Sequence, residues 1–200
     1  MTTSATDTTD TTTGRRCFGD GDRLYETYHD EEWGVPPVPS EDERELLERL
    51  SLEAFQSGLS WITVLRKRES FRRAFADFAP AVVAEFDDED VARLLADPGI
   101  VRNRAKVLAA IGNARALLAL HAQGRRLTDV LEAYREAPGT PRRATIAEVP
   151  ASTPGSAALA KELKGLGFRF LGPTTVYATM QALGLVDDHL VGCPVVVARS

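Results

Sequence analysis

The sequence predicts an all-α fold. Along most of the chain the apolar residues recur every three or four positions, the spacing that gathers them on one face of a helix. Alternation of apolar and polar residues, which would indicate strands, is scarce. The segments with helical spacing are ERELLERLSLEAFQSG, SWITVLRKRESFRRAF, EDVARLLAD, RNRAKVLAAIGNARALLALHAQG and SAALAKELKGLG.

Start signals precede several of these segments. Ser40 stands before EDERELL, and Asp87 or Asp88 stands before EDVARLL, as N-cap residues do. Thr153 and Pro154 precede the SAALAKEL run as a cap and a first-turn proline. The longest irregular connection is EAPGTPRRATIAEVPASTPG, which is rich in turn residues.

The chain of 200 residues fits one domain, and 44% apolar residues suffice for a core. Its first segment, MTTSATDTTDTTTG, consists almost entirely of Thr, Ser, Ala and Asp. Such a composition cannot bury apolar surface, so Met1 to Gly14 is predicted to be a disordered tail. Residues 15–200 are predicted to form a single helical domain.

The charge and the cysteines restrict the class of protein. A net charge of -5 gives no global basic signal, so a nucleic-acid site would have to be a local patch. Two cysteines far apart, with no signal-like apolar stretch at the N-terminus, favour a cytoplasmic protein with reduced thiols. No run approaches the ~18 apolar residues of a membrane span, so no membrane partner is expected.

The scarce cysteines and histidines suggest a metal site. His189 and Cys193 form an HxxxC pattern, and on a helix side chains four apart share a face and can meet one ion. Cys17 and His29 would supply two further ligands, which leaves His121 outside the set. The other interpretation is a half-buried histidine beside an inert buried thiol.

A tight turn, GFRFLGP, separates two amphipathic segments near the C-terminus. The backbone N–H groups that open the second helix could lie against a phosphate and hold a duplex without reading its sequence. The alternative is an ordinary hairpin of two helices.

A second chemical stretch is LEAFQSGLSWITVLRKRE. Glu53 interrupts an apolar helix three residues before Gln56, and Trp61 follows a Gly-Leu-Ser turn. A carboxylate and an amide beside a tryptophan can read a base, and a cationic base gains cation–π attraction from the ring. The other interpretation is a solvent-facing glutamate on an amphipathic helix.

Several long motifs together resemble the DNA-3-methyladenine glycosylase I (Tag) family of the helix-hairpin-helix DNA glycosylase superfamily. They are LYETYHDEEWGVP, LEAFQSGLSWITVLRKRE, DPGIVRNRAKVLAAIGNARA and GFRFLGPTTVYATMQALGLVDDHLVGC. The resemblance runs from about Arg15 to Cys193. It implies a helix-hairpin-helix fold whose N- and C-terminal segments are joined by one structural zinc ion, and no redox or lyase cofactor.

The resemblance also implies an activity: 3-methyladenine is flipped out of alkylated duplex DNA and its N-glycosidic bond is hydrolysed, leaving an abasic site. Glu53 would be the catalytic residue. The implied substrate-binding residues are Tyr25, Tyr28, Gln56 and Trp61. The implied DNA contacts are Leu59, as a wedge in the vacated stack, and Gly172, Thr174 and Thr175. The implied zinc ligands are Cys17, His29, His189 and Cys193. We expect a monomer whose partner is alkylated double-stranded DNA.

The chain departs from the family pattern at two places. The family usually has CxW after its first cysteine, whereas this chain has Phe18 and Gly19 there and one residue fewer before LY. The family commonly has Asn in VNDH, where this chain has Asp187. Asp187 is either a carboxylate that supports attack on the sugar or, with Asp188, a cap of the helix that carries His189. We expect the cap.

The basic runs at 66–73 and 102–106 could contact the DNA backbone or form solvated helix faces. Two other classes of function stay open besides a glycosylase. One is a helix-hairpin-helix DNA-binding module without chemistry, and the other is a zinc-stabilised helical interaction domain.

Overall fold

The computed structural model describes residues 14–137 and 139–195, and within them the regular structure is entirely helical. This confirms the predicted all-α class. The ten α-helices are α1 (Arg23–Glu31), α2 (Arg44–Gln56), α3 (Trp61–Leu65), α4 (Arg68–Ala74), α5 (Pro80–Val83), α6 (Asp88–Ala96), α7 (Arg104–Ala122), α8 (Leu127–Glu132), α9 (Pro154–Gly165) and α10 (Pro173–Ala182). Two short 3₁₀ turns lie at Ala76–Phe78 and Ile146–Glu148.

Two helices form the centre of the core. In α2 every residue from Leu46 to Phe55 is buried, and α7 buries residues on more than one face. A helix that is apolar around much of its circumference is surrounded by other elements rather than lying on the surface. Accordingly α7 packs against α2, α5 and α6, while α10 packs against both α2 and α9. One connected apolar cluster includes residues from Leu46 to Val186.

The helix starts are partly as predicted. Asp87 caps α6, and Thr153 caps α9 with Pro154 in the first turn. Ser40 is not a cap, because α2 begins only at Arg44. The residue before it, Glu43, lies in the left-handed region at φ 50°, and its side chain binds the start of α8.

The SWITVLRKRESFRRAF segment forms two helices rather than one. Helix α3 ends at Leu65 and α4 begins at Arg68, although Arg66 and Lys67 between them keep right-handed helical dihedral angles. Arg68 donates to Glu48 of α2 and to Glu32, and Lys67 donates to the carbonyl of Pro98 at 2.8 Å. Because these partners are distant in sequence, the spacing of the apolar residues does not predict the contacts.

Helices α9 and α10 form the hairpin that the GFRFLGP turn predicts. Asn113 of α7, fully buried, braces this turn by bonding both main-chain groups of Arg169. Its Oδ1 accepts from the Arg169 N–H at 2.8 Å, and its Nδ2 donates to the Arg169 carbonyl at 3.2 Å. The turn is therefore held from the core side, leaving its other side exposed.

The predicted tail, Met1 to Gly14, lies outside the described residues except for Gly14, whose N–H donates to the carbonyl of Gly192 at 3.0 Å. In the part of the chain that is described, no helix has the length and apolarity needed to cross a membrane.

Candidate active site and metal centre

A cleft opens between α1, α2, the start of α3 and α10. The sequence-predicted residues that line it are Tyr25, Tyr28, Glu53, Gln56 and Trp61. These five come from three helices, with Tyr25 and Tyr28 on α1, Glu53 and Gln56 on α2, and Trp61 at the start of α3. The structure thus brings the whole predicted base-binding set together on one cleft.

Aromatic rings form much of the cleft wall. The Tyr28 and Trp61 ring centroids are 5.2 Å apart, and Phe18 lies 4.9 Å from both Tyr25 and Trp33. Phe18 therefore places a ring in the cleft from the position next to Cys17, where the family usually has Trp one residue later. Burial, and next the Glu53 carboxylate, raise the pKa of Tyr25 and Tyr28, so both phenols stay protonated.

Glu53 is the exceptional group in this cleft. It is only 5% exposed, so the solvent-facing interpretation is wrong. Its Oε2 has no hydrogen-bond partner among the described residues, and the same holds for the Trp61 Nε1. Burial raises the pKa of Glu53 to about 8. A buried polar atom without a protein partner is costly unless something else satisfies it, and both atoms border a space that a ligand can enter.

Lys106 fixes the end of the helix that presents Glu53. Its side chain is buried, and its Nζ donates to the carbonyls of Phe55 at 2.9 Å and Ser57 at 2.6 Å. These are carbonyls at the C-terminal end of α2, which a cation stabilises. The turn that follows leaves Leu59 43% exposed.

Other residues line the cleft without having been predicted to do so. They are Ile146, Val149, Ala178, Gln181 and Asp188. Asp188 is fully enclosed, and its Oδ2 accepts from the Tyr177 hydroxyl at 2.6 Å and from Gln181 at 2.7 Å. Arg143 pairs with its other oxygen. Ile146 and Val149 lie in the long irregular connection, where no periodic signal marks them.

The hydrogen-bond partners of Asp187 differ from those of Asp188. Its Oδ2 accepts from Arg142 Nε at 3.0 Å, and its Oδ1 accepts from the His189 N–H at 3.2 Å. It is not among the residues that line the cleft. The aspartate that replaces the family's usual asparagine is therefore matched by an arginine.

The four predicted metal ligands form one cluster. Candidate ligand atoms of Cys17, His29, His189 and Cys193 all lie within 4.8 Å of one another, so the group could hold a metal ion. The Cys193 Sγ is 3.4 Å from His189 Nδ1 and 3.6 Å from His29 Nε2, and Cys17 Sγ is 3.6 Å from His189 Nδ1. The cluster joins the segment before α1 to the segment after α10.

The predicted helix beneath His189 and Cys193 is wrong. Residues 187–195 contain no helix, so Asp187 caps none, and the Cys193 N–H donates to the carbonyl of Leu190 in a turn. The ligand spacing nevertheless works because a turn also brings residues four apart together. The Asp187 carboxylate accepts from the N–H two residues on, which supports the turn rather than a helix.

Neighbouring groups orient both histidines. His29 Nδ1 donates to Asp30 at 2.8 Å, and Arg16 in turn bonds Asp30 at 2.7 Å. His189 Nε2 donates to the Trp33 carbonyl at 3.3 Å, which turns its Nδ1 toward the sulfurs. Burial lowers the pKa of His189 to about 4, so the imidazole is neutral as a metal ligand must be. Burial raises the pKa of Cys17 to about 12, so a thiolate there requires a nearby cation.

The hairpin residues are accessible. Gly172 is the N-cap of α10, Pro173 occupies its first turn, and Thr174 is exposed while Thr175 is half-buried. By contrast, several side chains of the basic runs are paired with carboxylates or buried within the protein. Arg68 and Arg72 pair with Glu48, and Lys106 is buried, whereas Arg102 and Arg104 stay exposed.

Solved structures share this fold. A crystal structure of 3-methyladenine DNA glycosylase I (TAG) superposes with a TM-score of 0.85 at 47% identity, covering 90% of this chain and 98% of that one. A structure of 3-methyladenine DNA glycosylase I (TAG) from Staphylococcus aureus superposes with a TM-score of 0.79 at 37% identity, covering 89% of this chain and 94% of that one. The fold is thus that of a DNA glycosylase.

The sequence comparisons specify the family. A family model described as methyladenine glycosylase matches residues 18–196. DNA-3-methyladenine glycosylase 1 of Escherichia coli (strain K12) is 49% identical over 173 residues, 86% of this chain and 91% of the relative. The Haemophilus influenzae enzyme is 43% identical over 90% of this chain and 96% of the relative. The chain belongs to the methyladenine glycosylase (Tag) family and is a monofunctional glycosylase, a hydrolase.

Proposed function

We propose that this chain flips 3-methyladenine out of alkylated duplex DNA and hydrolyses its N-glycosidic bond, leaving an abasic site. The observation that carries the proposal is the buried Glu53, whose Oε2 lacks a partner among the described residues and faces a cleft walled by aromatic rings. A solved relative is a variant in complex with 3-methyladenine, with a TM-score of 0.79 and 36% identity over 89% of this chain, which supports this choice of base.

The charge of the substrate makes Glu53 a selective group. Methylation at N3 makes the adenine of the nucleotide cationic, whereas normal adenine is neutral. A buried carboxylate is stabilised by an adjacent cation, so Glu53 favours the alkylated base over the normal one. The Trp61 ring adds stacking and cation–π attraction, and Tyr25, Tyr28 and Gln56 complete the contacts around the base.

The bond cleavage needs little acid assistance. When the bond between the sugar C1′ and N9 breaks, its electron pair moves to the cationic base, which leaves neutral. Positive charge then develops on the sugar, where DNA phosphates and nearby negative charge stabilise it. Water adds to C1′ and loses its proton to solvent. Selection of the base and its extrusion, at a cost of a few kcal/mol, are thus the main tasks of the protein.

The DNA contacts in this proposal lie on two turns. Leu59, exposed on the turn after α2, would enter the stack that the flipped nucleotide leaves. The hairpin would hold a phosphate with the backbone N–H groups at the start of α10, through Gly172, Thr174 and Thr175. The expectations of a monomer and of a cytoplasmic protein stay predictions.

We further propose that the cluster of Cys17, His29, His189 and Cys193 binds one structural zinc ion. Tetrahedral zinc with Zn–S of about 2.3 Å and Zn–N of about 2.0–2.1 Å holds sulfur and nitrogen about 3.6 Å apart. Three of the four sulfur-to-nitrogen distances here are 3.6, 3.6 and 3.4 Å. Four protein ligands leave no position for water, so the ion would stabilise the fold and take no part in hydrolysis.

The test is release of free base from methylated duplex DNA, with binding to an abasic-site duplex measured in parallel. We expect the protein to release 3-methyladenine and to bind the abasic duplex. Binding without release would instead support a DNA-binding module without chemistry. If the protein neither released the base nor bound the abasic duplex, the result would support an interaction domain.

The Glu53→Gln variant tests the residue that carries the proposal, because it preserves shape and removes charge. We expect single-turnover release to fall at least about 100-fold, the scale of a lost electrostatic contact in a buried site, with no fall in melting temperature. Glu45→Gln, on the same helix but outside the cleft, is the matched control. Release by Glu53→Gln at the unmodified rate would show that the assignment is wrong.

A further inference from the structure

Phe170 combines two costly features in the hairpin turn. Its φ is 59°, in the left-handed region that bulky side chains rarely adopt. Its side chain is also 44% exposed, whereas its neighbours Phe168 and Leu171 are 1% and 7% exposed. An aromatic residue that is both strained and turned toward solvent gains little within the protein, and such backbone strain is typical of functional positions.

The conformation of Phe170 is imposed by the turn on either side of it. Asn113 bonds both main-chain groups of the preceding Arg169, and the buried Leu171 follows. Because Asn113 lies in the core helix α7 and is fully buried, the turn cannot easily rotate. The Phe170 ring is therefore presented outward at a defined position, beside the exposed Gly172 and Thr174.

The charges of the residues near Phe170 in the sequence favour contact with a polyanion. The chain has a net charge of -5, yet no Asp or Glu occurs between Glu162 and Asp187. Within that stretch lie Lys164 and Arg169. A phosphate backbone can thus approach this turn without meeting a nearby carboxylate in the sequence.

We propose that Phe170 packs its ring against a deoxyribose of the duplex, next to the phosphate that the hairpin amides face. The contact rests on the proposed function, which makes duplex DNA the partner. Backbone N–H groups hold phosphates and carry no apolar contact. The ring adds an uncharged contact that strengthens binding to any sequence.

The test compares Phe170→Ala and Phe170→Gly with Val82→Ala. Glycine suits a positive φ, so Phe170→Gly keeps the turn without strain. Val82, 48% exposed on α5, is a matched exposed apolar residue outside the hairpin and the cleft. The dissociation constant for an abasic-site duplex is measured at several salt concentrations, with melting temperature and binding of free 3-methyladenine recorded for each variant.

We expect both Phe170 variants to raise the dissociation constant about fivefold or more, as loss of one apolar contact does. Val82→Ala should leave it unchanged, and free-base binding should be unaltered in all three. The slope of log affinity against log salt should stay that of the parent protein, because no phosphate contact is removed. Gly172→Asp, which puts a negative charge where a phosphate is expected, should change that slope.

Unchanged affinity in folded Phe170→Gly would overturn the inference, and so would an affinity loss with an altered salt slope. Failure of the proposed function is separate from either result. It would appear as a parent protein that binds duplex but releases no 3-methyladenine.

Discussion

At the scale of single residues, the buried Glu53 carboxyl predicts how kcat/KM for base release depends on pH. Burial holds its pKa at about 8, above the ordinary value of 4.5, so in the free protein the carboxyl is protonated at pH 7. A nucleotide with a fixed positive charge binds the ionised form better. We therefore expect kcat/KM for 3-methyladenine release to rise about tenfold per pH unit below pH 8 and to level off above it.

The measurement is the rate of base release between pH 5.5 and 9 under subsaturating DNA. Glu53→Gln should give a profile without this rise, which separates Glu53 from other titrating groups. A parent profile that is flat across the same range would contradict the assignment of the pKa to the catalytic step.

For Asp187, in contrast to Glu53, we predict that replacement of the carboxylate leaves base release nearly unchanged. It is paired with Arg142 and bonds the His189 N–H, whereas Asp188 lies on the cleft. Asparagine can still accept from that N–H. We therefore expect Asp187→Asn to release 3-methyladenine within about threefold of the parent rate, a barrier change of less than about 1 kcal/mol, because the Asp187 carboxylate lies outside the cleft.

Single-turnover release by Asp187→Asn, beside Asp188→Asn as the comparison, decides the question. A fall by orders of magnitude in Asp187→Asn, with folding and metal content intact, would make Asp187 a catalytic residue. Release of a neutral damaged base, measured separately, would show whether the carboxylate matters when the leaving group carries no charge.

At the scale of helices, Glu43 joins the start of α2 to the start of α8. Its carboxylate accepts from the Leu127 N–H at 2.9 Å, the Thr128 N–H at 2.8 Å and His121 at 2.7 Å. Burial alone would raise its pKa, but these hydrogen bonds outweigh burial and hold the pKa at about 2. A folded-state pKa below 4.5 stabilises the fold above pH 4.5, and this stabilisation is lost as pH falls toward 2.

Glu43→Gln should therefore lower the melting temperature at pH 7 by about 5 °C, which corresponds to on the order of 2 kcal/mol for a chain of this size. The difference from the parent should shrink as pH falls from 4.5 to 3. Thermal melts at each pH test this, with the exposed Glu41→Gln as control. A difference that stays constant with pH would mean that Glu43 acts through shape rather than charge.

At the scale of the whole molecule, the metal cluster joins the two ends of the described chain. We expect one zinc ion per chain in protein purified under reducing, non-chelating conditions. Removal by a chelator, or Cys193→Ser, should lower the melting temperature by at least about 10 °C, because binding free energy at such a site is folding free energy.

Elemental analysis and thermal melts test this, and His121→Gln is the control for metal content only, since His121 lies outside the cluster but bonds Glu43. A zinc content near zero with cooperative unfolding intact would contradict the proposal. Because Phe18 follows Cys17 and lines the cleft, loss of the ion should also disturb the cleft wall.

Much of the candidate site could be predicted from the sequence because several long motifs resemble the Tag family, whereas the residues alone left a solvent-facing glutamate and an inert thiol open. Two cysteines, three histidines and two tryptophans leave few ways to build a metal cluster and an aromatic cleft. Helix positions followed from apolar spacing, and the caps at Asp87 and Thr153 followed from local hydrogen bonding. The helix and cap signals lie within a few residues of the feature that they predict, whereas the proposed zinc ligands come from opposite ends of the described chain.

Only the tertiary structure decided the remaining features. Arg68 pairs with Glu48 of another helix, and Glu43, just before α2, accepts from the start of α8. Asn113 braces a turn 56 positions away. Each depends on a polar group whose burial is tolerated only with a particular partner, and that partner is chosen by helix packing. The sequence by itself determined which residues need partners, and the packing of α2, α7 and α10 decided which partners they have, because hydrogen bonds and ion pairs require contact at about 3 Å that no local pattern specifies.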